Sequence, residues 1–425
     1  MNFSPLPARW AGNGFSCING VFGFMLQDES LKSGGSVAAI EKWIVYFLCG
    51  YALCSSVSMG GANVCLGLAT VGTIIRLIKK HDDWRELIIV DKGLRLPFLI
   101  FLGVLVVTNI FTLNMEATAK NMFQYYINNF EPFLLAMMFV RKRDWLIKIV
   151  GLMVASSVIN NIYVIYQWLS MDTGARGSQG FFRIMSTAGL LSMMVPTVAL
   201  LMLNTQGKLK WVMLVALLIN VMGTVSNNTR GAWVAIAVTV VVTTLLILKS
   251  KVKALVALLV LAIGLSVVVC HVPAMYMRVQ SMTNVTDNRS NMERLYLWQS
   301  ATNMGNDYPL TGVGSGNFGD MYHEKYILPE AKMPELGHTH NLFFQEFAEH
   351  GYAGGIAFLI WVLGTIAYCI RGWHKEKKTG YIFMLAIFMG LMINGLTEHT
   401  FSHPIVMKWF WFGMGISYRW TKVEE

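Results

Sequence analysis

Charged residues are scarce in this chain. Asp, Glu, Lys and Arg together make up 14% of its 425 residues, whereas hydrophobic residues make up 55%. A soluble domain carries about 25% charged residues, so this composition argues against a soluble protein. Apolar runs of about 20 residues recur along the chain with aromatic residues at their ends, which is typical of membrane-spanning helices. The sequence therefore predicts an all-α polytopic membrane protein.

Several other features are also missing. The six cysteines show no CxxC motif and no regular spacing, which indicates small buried side chains rather than disulfides or metal ligands. Residues 1–38 lack a basic segment feeding an apolar core, so we expect no signal peptide. The net charge of +10 comes without a basic stripe interleaved with aromatic residues, so we expect no nucleic-acid partner.

The apolar runs predict about twelve transmembrane helices behind a cytoplasmic N-terminal arm of residues 1–40. Helices 1–9 fall within residues 41–270, a large external loop covers 271–340, helices 10–12 fall within 341–418, and a cytoplasmic tail covers 419–425. The predicted spans are 41–57, 61–78, 96–113, 123–140, 146–168, 185–204, 211–226, 231–248, 252–270, 341–370, 380–397 and 403–418.

The loops between these spans predict the orientation. Numbered alternately, the lysine-rich loops all fall on one side, which the positive-inside rule makes cytoplasmic. The other side has few lysines but keeps arginines and histidines. They are Arg176, Arg183, Arg230, Arg278, Arg289, Arg294, His271, His323, His338, His340, His399 and His403. Arginine is the better bidentate partner for phosphate, which favours a phosphate-binding face over scattered, solvated charge.

The external loop contains two local patterns. Ser290 and Glu293 have capping-box spacing, which predicts a helix from there to Gly305. The glycines between residues 312 and 316 resemble a phosphate-binding loop, but no strand–turn–helix unit surrounds them. We therefore predict a tight turn near the membrane surface.

The stretch that follows this loop concentrates ionisable residues at a membrane boundary, which makes it a functional-site hypothesis. His338 and His340 precede Asn341, and Glu349 follows. Histidine titrates near neutral pH, so either imidazole could be a general base that takes a proton from a sugar hydroxyl. For His338, polar groups that satisfy each other at a helix end are an equally good interpretation.

Helical spacing connects this stretch to two carboxylates. If Asn341 opens a helix, Gln345 and Glu349 lie on one face, as do Glu346 and His350. Either carboxylate could then orient a histidine.

Metal binding is not expected at these histidines. Their spacing matches no HExxH or Cys/His pattern. Glu398-His399 and His403 also form a poor metal site, because Pro404 disfavours helical geometry at His403. We expect neither a metal nor a cofactor.

Arg230 begins a predicted helix after an external turn. A cation at the positive end of a helix dipole is locally unfavourable unless an anion binds there. The alternative is that Arg230 reaches to the membrane interface with its charged end.

Several of these motifs resemble those of bacterial O-antigen ligases and the wider ligase and polymerase superfamily. The signature histidine motif corresponds to His340-Asn341 followed by Gly351 and Gly354. Three further segments are similar, namely Asn228 to Trp233, Arg294-Leu295 with Trp298, and Pro309 to Phe318. The likeness covers roughly residues 180–420.

The resemblance implies a fold like that of a C-type glycosyltransferase and an active site on the periplasmic face of the bacterial inner membrane. The donor would be a glycan linked through pyrophosphate to undecaprenol, and the acceptor a sugar hydroxyl of lipid A-core. It implies inverting, metal-independent transfer without a nucleotide sugar or cofactor, with membrane lipids as further partners. In this reading His340 is the base, with His338 as the alternative imidazole and Glu349 beside them. Carried over by motif, Arg230 and Arg294 would bind the pyrophosphate. From their position in the loop before the sixth span, we further expect Arg183 and Arg176 to make phosphate or core contacts, and we place Asn341 among the pyrophosphate-binding residues.

Three alternatives remain open at this point. A polymerase that extends O-antigen on the lipid carrier, or a protein O-oligosaccharyltransferase, would share these motifs. A transporter of an anionic lipid would instead place charges near the midplane on broken helices and repeat its halves. The sequence shows charges gathered at one face and no internal repeat.

Overall fold

The computed structural model describes residues 36–80, 88–170, 177–248 and 289–423, with a few single residues between 250 and 280. The N-terminal arm and the predicted span at 252–270 lie almost entirely outside the described residues. So do Arg176, His271 and Arg278. The regular elements within these ranges are all helices.

The helices are numbered here in chain order. They are α1 Ser36–Cys54, α2 Met59–Lys79, α3 Lys92–Asn109, α4 Met115–Asn121, α5 Asn128–Phe139, α6 Arg143–Leu169, α7 Ile184–Asn204, α8 Gly207–Asn227, α9 Arg230–Ile247, α10 Arg289–Asp307, α11 Phe318–Met321, α12 Leu342–Glu376, α13 Thr379–Asn394 and α14 Pro404–Val423. Two π-helical turns, Met122–Ile127 and Tyr322–Tyr326, and a 3-10 turn, Thr400–Ser402, complete them.

Eight of these helices are long and apolar enough to cross a membrane, namely α1, α2, α3, α6, α7, α8, α9 and α12. The predicted spans 123–140, 380–397 and 403–418 coincide with helical segments as well, although α13 is shorter at 16 residues. The architecture thus fits a polytopic membrane protein, and the total of twelve spans stays a prediction.

Helix α7 is the most buried of the eight candidate spans. In its most apolar 18-residue stretch 78% is buried, whereas the share is 28–44% in the other seven candidate spans. It packs against α8, α9 and α13. The more exposed apolar faces of the outer helices are those expected of helices that face lipid.

An aromatic core joins three helices below the external loop. Phe101 of α3 stacks on Trp361 of α12 with ring centroids 5.2 Å apart, and Trp361 stacks on Trp411 of α14 at 5.9 Å. Aromatic pairs of this kind contribute about 0.5–1.5 kcal/mol each beyond the area they bury. This core holds the middle of α12 against α3 and α14.

Helix α12 is broken, whereas the sequence predicted one continuous span at 341–370. Gly351 has φ 64° and ψ −161°, a conformation essentially restricted to glycine, so the helix runs from 342 to 350 and again from 352. The break leaves backbone groups without helical partners, and these must be satisfied elsewhere.

The glycine-containing segment of the external loop satisfies this break. The backbone N–H groups of Val313 and Gly314 donate to the carbonyl oxygens of Ala348 and Glu349, at 3.0 Å and 2.8 Å. In return, the Tyr352 N–H donates to the Pro309 carbonyl at 2.8 Å. The predicted tight turn is confirmed, and its role is to cap a broken helix.

The predicted helix after residue 290 is confirmed as α10, but the predicted capping box is wrong. The helix already includes Arg289, so Ser290 lies within it rather than before it. The Glu293 carboxylate instead accepts the backbone N–H groups of Lys332, at 2.9 Å, and Met333, at 3.3 Å. Glu293 thereby ties α10 to the far end of the loop.

Candidate active site

The two histidines lie in a tight turn that is held from three sides. His340 adopts φ 51°, in the left-handed region that few non-glycine residues enter. The Thr339 N–H donates to Gln345 Oε1 at 3.0 Å, and the Thr339 carbonyl accepts the Trp298 indole N–H at 3.0 Å. Asn341 caps α12 by accepting the N–H groups of the next turn, as predicted. Strained backbone of this kind persists only where the surroundings enforce it.

A carboxylate from the segment between α13 and α14 joins both imidazoles. Glu398 Oε1 lies 3.3 Å from His338 Nε2, and Glu398 Oε2 lies 3.2 Å from His340 Nδ1. The carboxylate is 5% exposed, while the two histidine side chains are 31% and 19% exposed. The histidines are therefore open to the outside and the acid that orients them is covered.

Glu398 is ionised in this setting. Burial by itself would raise the pKa of the carboxyl, but the hydrogen bonds with His338 and His340 hold it well below its usual value. A carboxylate is an acceptor only, so each facing imidazole nitrogen carries the hydrogen. This leaves Nε2 of His340 and Nδ1 of His338 as the basic nitrogens.

Two more histidines surround the same carboxylate. His403 Nε2 is 3.8 Å from Glu398 Oε1, and His403 Nδ1 is 3.2 Å from Ser186 Oγ of α7. His403 is not helical, as Pro404 predicted. His399 is buried, which lowers its pKa well below the ordinary value and keeps it neutral.

Arg230 begins α9, and Arg294 lies in the first turns of α10. Arg230 Nη2 donates to Asn291 Oδ1 at 3.0 Å, and Asn291 lies three residues before Arg294 on α10. Trp298, which bonds to the histidine turn, is one helical turn beyond Arg294 on the same face. Asn291 therefore joins the Arg230 guanidinium to α10, and Trp298 joins α10 to the turn that carries His338 and His340.

The beginning of α9 also packs against the segment that carries Glu398. A methyl group added to Gly231 would lie 2.0 Å from Thr397 Oγ1, so backbone and side chain are in close contact there. Arg230 directly precedes Gly231, and Glu398 directly follows Thr397, so this contact brings the two segments together. The structure thus places the start of α9 and the first turns of α10, which carry Arg230 and Arg294, against the segments that carry Glu398 and the histidines.

Arg183 lies at the edge of this arrangement. It is exposed at the N-cap of α7, three residues before Ser186, which contacts His403. The loop before it is anchored by Asn227, whose amide donates to the carbonyls of Ser178, at 2.9 Å, and Ile184, at 3.2 Å.

Glu349 is placed differently from the sequence interpretation. It is 4% exposed and accepts the Gly316 N–H and the Gln345 Nε2–H group, each at 2.9 Å. Gln345 in turn accepts the Thr339 N–H. Glu349 therefore supports the histidine turn through Gln345, and the carboxylate hydrogen-bonded to the imidazoles is Glu398.

Glu346 and His350 also point into the protein. His350 contacts Thr108 Oγ1 at 2.9 Å and Ser315 Oγ at 3.1 Å, and Glu346 Oε1 accepts the Tyr126 hydroxyl at 2.9 Å. These bonds attach the broken end of α12 to α3, to the glycine segment and to the π-helical turn. They stabilise the scaffold beneath the site.

Sequence reasoning had not assigned a role to Glu398 in the histidine pair. Glu398 is 58 residues from His340, so no local spacing connects them. The signal in the sequence is that Glu398 stands directly before His399 in an otherwise apolar region. That pattern alone indicates only a poor metal motif.

The comparison with protein families identifies one match. Residues 215–359 match the family model described as O-antigen ligase. The match supports membership of the O-antigen ligase/polymerase superfamily. The family itself implies a glycosyltransferase-like enzyme of cell-envelope polysaccharide synthesis with lipid-linked glycan substrates. No curated protein matched the sequence.

The matched segment contains Arg230, Arg294, His338 and His340. Glu398 and Arg183 lie outside it, so their placement near the histidines comes from the structure alone. The family model thus covers the central part of the region, roughly residues 180–420, in which the motifs resemble the family.

Proposed function

We propose that this protein is an O-antigen ligase that transfers a glycan from undecaprenyl pyrophosphate to a sugar hydroxyl of lipid A-core. One observation supports this above the others: Glu398 holds two partly exposed imidazoles, and Arg230 bonds to α10, the helix that carries Arg294 and contacts the histidine turn through Trp298. A base and paired cations are what attack on a diphosphate-linked sugar requires.

In the proposed reaction, His340 Nε2 takes the proton of the acceptor hydroxyl. Glu398 keeps the hydrogen of the neutral imidazole on Nδ1 and stabilises the imidazolium that forms. The acceptor oxygen bonds to the anomeric carbon as the bond from that carbon to the pyrophosphate oxygen breaks. Attack opposite the leaving group inverts the anomeric configuration.

Arg230 and Arg294 would bind the pyrophosphate and stabilise the charge that it gains. Stabilisation of developing charge is usually the largest single contribution to catalysis. Asn341, as the cap of α12, would position the histidine turn, and Arg183, with Arg176, would give further phosphate or core contacts. The site would face the periplasm, opposite the lysine-rich loops.

Transport of an anionic lipid receives little support from the break in α12. A transporter uses such a break to line a cavity near the membrane midplane. Here the backbone groups that the break leaves without helical partners bond to the segment at 309–314, at the same end of α12 as the histidine turn.

Reconstitution distinguishes ligase from polymerase. Proteoliposomes with purified protein and lipid-linked glycan would receive either lipid A-core or a second carrier-linked glycan. We expect lipid A-core to be extended. Extension of the carrier-linked glycan alone would establish a polymerase instead, and extension of neither would refute glycan transfer with these substrates.

Replacing Arg230 or Arg294 by lysine should reduce transfer about 10- to 100-fold, although the charge is kept. Lysine cannot form a bidentate contact, and a hydrogen bond to a charged group is worth about 1.5–3 kcal/mol. Initial rates with saturating acceptor and varied donor would measure the loss.

Arg289→Lys is the matched control on α10. Arg289 donates to the backbone carbonyl of Lys332 at 3.1 Å in an exposed contact, so its replacement should leave the rate unchanged. Equal rates for all three lysine variants would contradict a bidentate role for Arg230 and Arg294.

A further inference from the structure

The geometry points to a divalent transition-metal site at Glu398, His338 and His340, at which Zn²⁺ would inhibit the enzyme rather than assist it. The ligand atoms of these three residues all lie within 4.8 Å of one another. Two imidazoles and a carboxylate are a donor set that zinc uses in proteins. The chain spacing concealed this set, because Glu398 comes from a separate part of the chain.

The distances within the cluster fit a shared ion. The two imidazole–carboxylate separations are 3.3 Å and 3.2 Å. A charge-assisted N–H···O bond is shorter, about 2.7–2.9 Å. A tetrahedral zinc ion with bonds of about 2.0–2.1 Å holds neighbouring ligand atoms about 3.3 Å apart. Each imidazole nitrogen therefore has ligand-like spacing from one of the two Glu398 oxygens, and the three ligand atoms lie close enough for small side-chain rotations to complete the site.

His403 lies beside these three ligands as a supporting group. Its Nε2 is buried without a hydrogen-bond partner and lies 3.8 Å from Glu398 Oε1. Its other ring nitrogen is held by Ser186 Oγ at 3.2 Å, as the second nitrogen of a metal-bound histidine usually is. An unpartnered imidazole nitrogen that points at the carboxylate is what a cation site needs, and the substrate reaction leaves it unused.

Inhibition follows from the tautomers and rests on the proposed function. His340 faces Glu398 with Nδ1, and a metal there would replace the hydrogen on that nitrogen. A neutral imidazole would then carry its one hydrogen on Nε2, so no net proton is released. Nε2 is the nitrogen proposed to accept the proton of the sugar hydroxyl. The bound metal thus removes the base without touching the arginines.

Binding would be measured on purified, tag-free full-length protein with Co²⁺ as a spectroscopic probe and Zn²⁺ as the competitor. We expect visible Co²⁺ bands of a low-coordinate histidine site, displaced by one equivalent of Zn²⁺ and not by Mg²⁺. Mg²⁺ prefers oxygen ligands in octahedral geometry, so it should not compete.

Variants assign the ligands. Glu398→Gln should abolish the bands, and His403→Ala should weaken Co²⁺ binding about 10- to 100-fold, as loss of a supporting group does in metal sites. His374→Ala, at an exposed histidine near the far end of α12, is the control and should bind as the wild type does. If Glu398→Gln does not fold, His338→Asn provides the same test.

Two outcomes would overturn the inference. Bands that survive in Glu398→Gln and His338→Asn would place the metal elsewhere, and the absence of one-to-one binding would remove the site. In transfer assays, Zn²⁺ should inhibit wild type reversibly on addition of a chelator. Metal binding without inhibition of transfer would refute the inhibitory role. If the metal-free wild-type protein transfers no glycan at all, that result counts against the proposed function instead.

Discussion

Replacing His340 with alanine is expected to lower glycan transfer by about 10²- to 10⁴-fold, the range that general base catalysis contributes. The loss should appear in kcat, because the arginines that would hold the donor pyrophosphate remain. Transfer from lipid-linked glycan to lipid A-core in proteoliposomes measures it. The same assay on His338→Ala decides between the two imidazoles, since both face Glu398.

His323→Ala is the control for this experiment. His323 is exposed on the same external loop, and its ring contacts the Pro334 carbonyl rather than Glu398. The His340→Ala and His338→Ala proteins should elute from a sizing column as the wild type does. Full activity of His340→Ala together with loss in His338→Ala would transfer the role to the neighbouring imidazole, and full activity in both would refute an imidazole base.

Gly351→Ala should destabilise the protein strongly and abolish transfer as a consequence. The conformation at Gly351 is strained for alanine, which costs about 1–3 kcal/mol. The new methyl group would also lie 2.5 Å from the Pro309 carbonyl oxygen, so the capping segment must shift. That shift would disturb the bonds at Ala348 and Glu349 that hold the end of α12. Thermal unfolding in detergent, followed by tryptophan fluorescence, would report the change.

Gly355→Ala is the matched control one turn further along α12. A methyl group there would meet Phe347 at 3.6 Å, an ordinary van der Waals distance, and the helix should if anything gain stability. If both variants melted at the wild-type temperature, the break at Gly351 would not be required by the fold.

The class of the protein was readable from composition and hydropathy. Helix positions followed as well, because a chain in lipid must satisfy its backbone within helices. The cap at Asn341 and the turn at residues 309–314 also follow local rules. The sequence does not predict the break at Gly351, because a glycine within a helical pattern usually remains helical. No local pattern indicates that another segment will cap the broken helix.

The sequence by itself determined a helical membrane protein and predicted that arginines and histidines gather at one face, since hydropathy and charge act locally along the chain. Only the tertiary structure decided which carboxylate serves the histidines. Glu349 lies nine residues from His340 but faces a buried network, whereas Glu398, 58 residues away, contacts both rings. Proximity along a helix sets which residues share a face, but the packing of α13 and α14 beside the histidine turn sets which groups meet.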